Sequence, residues 1–233
     1  MKRRSMLLGS ALAGAGVGLG SPTAILAAEP SLYVFLHSLL EARALNKLFE
    51  AALPGVAVWV LTKSRDFSIV RTRNPDAVVA LAPVLVANGF TPALQGYKSG
   101  QATEPYVLLS TRSVTPSSVK SVGAVDVLGR REMGKFVSSL LGGNEPQVEP
   151  VTKLADLLAL LQLEKVDAIV LPARHANPLI GRTRLSLTVS HLAGKGVGLP
   201  AFYATTPEGQ RMKASFAELP SSLLKEIGVD SWR

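Results

Sequence analysis

Glu104 and Tyr106 flank Pro105, immediately ahead of the apolar run Val107-Leu108-Leu109 that closes on Ser110. A run of this kind reads as a buried strand. If extended backbone reaches back through Pro105, residues two apart share a face, so the carboxylate and the phenol point the same way. One accepts hydrogen bonds and the other donates or accepts, which suits them to gripping a hydroxyl. Both side chains would also suit an ordinary solvated loop, and these residues alone leave the two readings open.

The elements that must position this pair come from the periodicity of the rest of the chain. Leu32–Leu36 predicts a first strand. A helix carrying Leu45, Leu48, Phe49, Ala52 and Leu53 follows, and Pro54-Gly55 stops it. Val56–Leu61 is a second strand, and Asp76–Leu81 a compact apolar run after the Asn74-Pro75 turn. The pattern then repeats. Val119–Val127 holds a strand, and Gly129 precedes a helix with Met133, Phe136, Val137, Leu140 and Leu141 on one face. Val148–Val151 is a short strand. Thr152 serves as expected N-cap for a helix over Lys153–Glu164. Val166–Leu171 is a strand ended by Pro172, Arg184–Ser190 alternates, and a Gly-rich loop leads to a strand at Pro200–Ala204. Helix signals close the chain at Met212–Leu219 and Leu223–Ile227. Strands alternating with helices predict an α/β protein with parallel sheets.

The N-terminus reads as a signal peptide over residues 1–28. Lys2, Arg3 and Arg4 make a charged start, Met6–Gly20 a mildly apolar core, and Leu26-Ala27-Ala28 a cleavage site before Glu29. Arg3-Arg4 fits the twin-arginine route and the general secretory route equally. Export to a periplasm is the expectation. The formal charge of +8 loses three basic residues with this leader, and no basic run exceeds pairs such as Arg130-Arg131. Nucleic acid is therefore not an expected partner. The absence of cysteine excludes disulfides, thiolate metal sites and thiol catalysis.

Several phrases resemble those of type II periplasmic solute-binding proteins, specifically the phosphate- and phosphonate-binding branch. They are Tyr106–Ser110, Ser117–Val125, Leu163–Val170, Gly196–Phe202 and Leu223–Trp232. The resemblance implies two α/β lobes joined by two crossing strands. Residues 29–112 with 186–233 would form lobe one, and 113–185 lobe two. The ligand would lie in the cleft, beside the loop that holds His37 and Ser38, the loop after the Asp76 run and the loop after Leu171. Where that branch places hydroxyl side chains at a helix start to cradle an anion, this chain has Asp126-Val127-Leu128-Gly129-Arg130-Arg131-Glu132. Val127 and Leu128 thus imply an apolar lining. An offshoot of the branch carries sterol lipids, and its polar grip is similar to Glu104 and Tyr106 together with Asn177. The expected ligand is accordingly an apolar, hydroxyl-bearing molecule such as a sterol-like lipid, delivered to an inner-membrane transporter or another periplasmic carrier. The alternative is a phosphonate or phosphate receptor of an ABC importer, and a cofactor-free enzyme or partner-binding component on the same fold is the third class.

Other chemistry is less supported. His37, His175 and His191 are far apart in sequence, and no metal site or cofactor is expected from them. No Gly-x-Ser-x-Gly elbow occurs, and Gly194–Gly198 lacks both dinucleotide and P-loop spacing. Aromatic residues at 6% disfavour a sugar receptor built on stacking platforms. Arg174 and His175 would face either an anionic ligand or solvent, and solvent is the expectation.

Overall fold

The computed structural model describes residues 29–233, so the expected leader at 1–28 lies outside the described residues. Two sheets organise the chain. The first contains β1 (Ser31–Phe35), β2 (Ala57–Val60), β3 (Ala77–Leu81), β4 (Leu94–Tyr97), β10 (Pro200–Ala204) and β11 (Ser231–Trp232). The second contains β5 (Thr103–Ser110), β6 (Ser121–Val125), β7 (Gln147–Val151), β8 (Ala168–Pro172) and β9 (Thr188–Gly198). Their orders are β11-β4-β10-β3-β1-β2 and β7-β6-β8-β5-β9.

Each sheet has a parallel trio at one end, β2-β1-β3 and β7-β6-β8, whose strands are joined by helical crossovers. The remaining pairings are antiparallel. β10 lies against β3 and β4, β11 against β4, and β5 against β8 and β9. The wholly parallel expectation therefore holds only for the trios. The two passages between sheets, through residues 98–102 and through Leu199, reverse the chain and impose antiparallel neighbours.

Among the described residues eight helices clothe the sheets: α1 (Ala42–Ala52), α2 (Phe67–Arg73), α3 (Ala82–Ala87), α4 (Arg130–Leu140), α5 (Asp156–Gln162), α6 (Ala176–Ile180), α7 (Pro207–Ala217) and α8 (Ser221–Ile227). α5 starts later than its apolar stripe suggests. Residues 152–155 are a turn, and Thr152 caps nothing. Gly194–Gly198, expected as a loop, belongs to β9, because glycines let that edge strand lie close against Thr103 and Glu104. β4 and β11 went unforeseen; both are short and carry polar or glycine residues.

Side-chain parity sorts the interior into three clusters. Tyr33 and Phe35 of β1, Val78 and Ala80 of β3, Ala124 of β6 and Val170 of β8 belong to one core that spans both sheets. Leu32, Val34, Ala77 and Val79, on the opposite faces of β1 and β3, join Phe202, Phe216 and Trp232 in a core private to the first lobe. Val107, Leu109, Ile169 and Leu171 join the leucines of α5 in a core private to the second. The period-2 alternation of each strand thus feeds a different core from each face.

Asp76 ties the first lobe's ends together. It accepts from the Ser31 amide and hydroxyl at 2.8 and 2.9 Å and from the Thr206 hydroxyl at 2.5 Å. Thr206 in turn caps α7 by accepting from Gly209 N–H at 3.2 Å. α7 approaches so closely that a Cβ on Gly209 would overlap the Asp76 carbonyl. Gly209→Ala is expected to destabilise the fold by about 1–3 kcal/mol through this forced shift. Urea unfolding measures it, and a variant of unchanged midpoint would show that α7 can move freely.

Candidate functional site

The carboxyl ends of the parallel trios face one another across the lobes, where open α/β sheets bind ligands. From the first lobe the facing loops follow β1 (Leu36-His37-Ser38-Leu39) and β2 (Leu61-Thr62). From the second they are Val125–Val127 and Thr152–Ala155. Between them lies a cleft of about 80 Å³. Its walls are mainly apolar, with Leu36, Leu39 and Leu61 opposite Val125, Val127 and Leu154, and its polar groups are His37, Ser38, Thr62, Thr152, Lys153 and Glu41. The turn at 152–155, which a longer helix would have removed, supplies part of this wall.

The lobes touch across the cleft. Ser64 donates its hydroxyl to Asp126 Oδ2 at 2.8 Å, and Lys153 meets Glu41 at 3.0 Å at the exposed mouth. Asp126 also accepts from Gly129 N–H at 2.7 Å, so its carboxylate closes the turn before α4 and bridges the lobes.

Behind the cleft is a second, smaller recess of about 10 Å³, the space of roughly one water or one hydroxyl. It adjoins the cleft through their common residues His37, Val125 and Leu154, and Tyr106 forms part of its wall. Both polar side chains here lack a protein partner: the Tyr106 hydroxyl and both ring nitrogens of His37 are buried and unbonded among the described residues. Burial drives the His37 imidazole down to about 3, with the Arg174 charge adding to it, so the ring is neutral near pH 7. Burial raises the Tyr106 phenol, which therefore also stays neutral. The recess consequently offers donors and acceptors without charge.

The sequence-predicted residues are dispersed in an informative way. Glu104 is 5% exposed and forms a buried ion pair with Arg174, itself only 10% exposed. Glu104 is thus engaged within the protein rather than held free beside Tyr106. Glu104 and Tyr106 are both buried with exposed Pro105 between them, so they keep the shared side of β5 expected for residues two apart, and it is Arg174 that claims the carboxylate. Asn177 sits exposed on α6 and does not line the cleft or the recess. The three-residue grip is therefore not assembled. Val127 is buried and lines the cleft, whereas Leu128 packs half-buried against the shared core. Ser38 reaches the cleft while donating to Glu226 of α8 at 2.7 Å.

Arg174 and His175, expected at the surface, are both largely buried. Arg174 leaves the turn after β8 and reaches lobe one, donating to the His37 carbonyl at 3.4 Å. Its guanidinium lies on Gly228, where a Cβ would stand 2.5 Å from Nη1. Burial lowers Arg174 to about 10, against the pull of Glu226, and it remains charged at neutral pH. The sequence signal that could have located it is the isolated Gly228 after α8. His191 lies apart, exposed on β9, and no group of three His, Asp or Glu among the described residues is placed to hold a metal ion.

This is the two-lobed α/β fold of periplasmic substrate-binding proteins. No family model matches the chain, and no curated protein is similar to it by sequence. Solved structures are similar in fold. The periplasmic VFT2 domain of BvgS from Bordetella pertussis superimposes with a TM-score of 0.56 at 11% identity, over 86% of this chain and 93% of that one. The arginine-binding protein ArgBP of T. maritima, in its holo form, gives 0.54 at 15% identity over 85% and 90%. The amino acid ABC transporter substrate-binding protein AbpA of Streptococcus pneumoniae, bound to L-arginine, gives 0.52 at 15% over 86% and 94%.

Removing one member of the buried pair strands a charge. Arg174→Met is expected to cost about 3–5 kcal/mol, and Glu104→Gln with Arg174→Met together much less. Chemical denaturation of the two singles and the double measures the coupling; strictly additive effects would mean the pair is not one unit.

Proposed function

We propose that this chain is an exported solute-binding protein that closes two lobes on a largely apolar molecule and seats an uncharged hydroxyl in the recess between His37 and Tyr106. The observation that carries the reading is that these buried neutral groups, both lacking protein partners, stand at the inner end of an apolar cleft. A hydroxyl donates to one and accepts from the other, while apolar wall takes the remainder at ~25 cal/mol per Å² buried. The site acts by binding, and the proposed destination of its cargo is an ABC-type importer of the inner membrane or another periplasmic carrier. The proposed lobes follow the two sheets and meet at the passages through residues 98–102 and Leu199, so the boundaries expected at 112 and 186 move outward and β5 and β9 fall in lobe two, over Thr103 to Gly198.

The sterol-like ligand expected from the sequence is the bulky limit of this class. Sites that enclose drug-sized ligands measure ~300–1,000 Å³, whereas the cleft holds about 80 Å³. A sterol therefore requires lobes that stand further apart, and smaller apolar alcohols suit the present spacing better. Phosphonate has weaker support. Arg174 is engaged by Glu104, and Lys153, the cation at the cleft, is exposed and paired with Glu41.

Mass spectrometry of molecules extracted from the protein purified from its own periplasm identifies the natural cargo. Calorimetry with cyclic alcohols of rising size, a 3-hydroxy sterol, their deoxy analogues and phosphonate tests the class. Hydroxyl compounds are expected to bind with little salt dependence. Tyr106→Phe should weaken them by about 1–3 kcal/mol without affecting the deoxy analogues. Tight, salt-sensitive phosphonate binding with no uptake of alcohols would overturn the reading.

A further inference from the structure

The interlobe seam holds more than a ligand recess. His37, on the loop after β1 of lobe one, is 6% exposed, and it is buried largely by lobe-two residues: Ala124, Val125, Phe136, Leu154 and Val170 surround the recess into which it projects. His175, in the turn after β8 of lobe two, is 5% exposed and hydrogen-bonds to the His37 backbone. Arg174, the residue before His175, donates to the His37 carbonyl. Two imidazoles contributed by opposite lobes are thus packed around one fixed positive charge.

We propose that lobe closure is linked to protons through this seam, so that mild acid drives the lobes apart and releases what the cleft holds. Neither imidazole has room for charge while the seam is shut. Burial lowers both, and Arg174 adds to the effect on each; at His175 the His37 ring and Lys98 of the turn before β5 contribute as well. The anionic groups nearby are each engaged elsewhere, although Glu104 Oε1 has no hydrogen-bond partner among the described residues. Glu104 on β5 is paired with Arg174, and Glu226 on α8 accepts from Ser38 and attracts Arg174. Glu41 is paired with Lys153 at the exposed mouth, and Tyr106 stays neutral.

Separating the lobes returns His37 to water, where an imidazole titrates near 6.5. Above that value both states are neutral and closure is unaffected by pH. Below it the open state takes up protons that the closed state refuses, so closure weakens progressively down to about pH 3 for His37. Each histidine exposed shifts the open-to-closed ratio by up to about tenfold per pH unit in that window. The inference concerns closure itself and stands whatever ligand the cleft takes.

Small-angle scattering of the ligand-free protein from pH 7.5 to 4.5, with far-UV circular dichroism to confirm retained secondary structure, tests it. The radius of gyration is expected to rise below pH 6.5 in the wild type and in His191→Gln, whose exposed imidazole is outside the seam. It should stay flat in His37→Gln/His175→Gln. A constant radius in the wild type, or the same rise in the double variant, overturns the proposal; the latter would assign the effect to carboxylates such as Asp126. Should the double variant fail to fold, histidine NMR of the wild type decides. Protonation of His37 that tracks the expanding radius supports the proposal, and protonation near 6.5 at constant radius refutes it.

Discussion

The Glu104–Arg174 pair is the constraint on which the rest of the seam depends. Glu104 belongs to a strand that links the sheets, and Arg174 to the turn that follows β8. An ion pair so deeply removed from water recovers its desolvation only if the geometry is held from several sides. Here it is held by the His37 carbonyl, the bare Cα of Gly228 and the nearby charge of Glu226. Each of those groups belongs to lobe one, so satisfying the pair fixes how the lobes meet. The same placement consumes the carboxylate that otherwise stands beside Tyr106, and leaves the recess without net charge.

The strands of the parallel trios and the crossover helices α1, α4 and α5 were legible in the sequence because they rest on periodicity, whereas the short α2 between β2 and β3 was not read. Runs such as AVVAL at 77–81 and AIVL at 168–171 are buried on both faces and read directly as central strands. What escaped were elements whose pairing is set from afar. β4 and β11 have little apolar pattern of their own and exist because β10 and each other offer an edge. The Gly-rich end of β9 reads locally as a loop, and becomes strand only because β5 lies alongside it.

The site was legible by location and not by partnership. His37, Ser38 and Val127 reach the cleft because they follow strand ends, and Tyr106 reaches the recess from within β5. Glu104 was assigned on spacing and Asn177 on a family resemblance, and neither says what else approaches. Arg174 arrives from 70 residues away and claims Glu104, while Asn177 turns outward on α6. A charged side chain eight residues past a predicted strand start gives no local sign of burial. Its sign is the distant glycine that makes room for it.

The core shared by both sheets has a thermal consequence. Phe35, Val78 and Ala80 on one side and Val122, Ala124 and Val170 on the other belong to one contiguous apolar body. Parting the lobes would wet some of that surface, and apolar hydration carries a large positive heat capacity. The balance between shut and parted forms is therefore curved in temperature and leans toward the parted form on cooling, since apolar attraction fades in cold water. The proposed closure would then be firmest in the warm part of the range and looser in the cold, with no change in any polar contact.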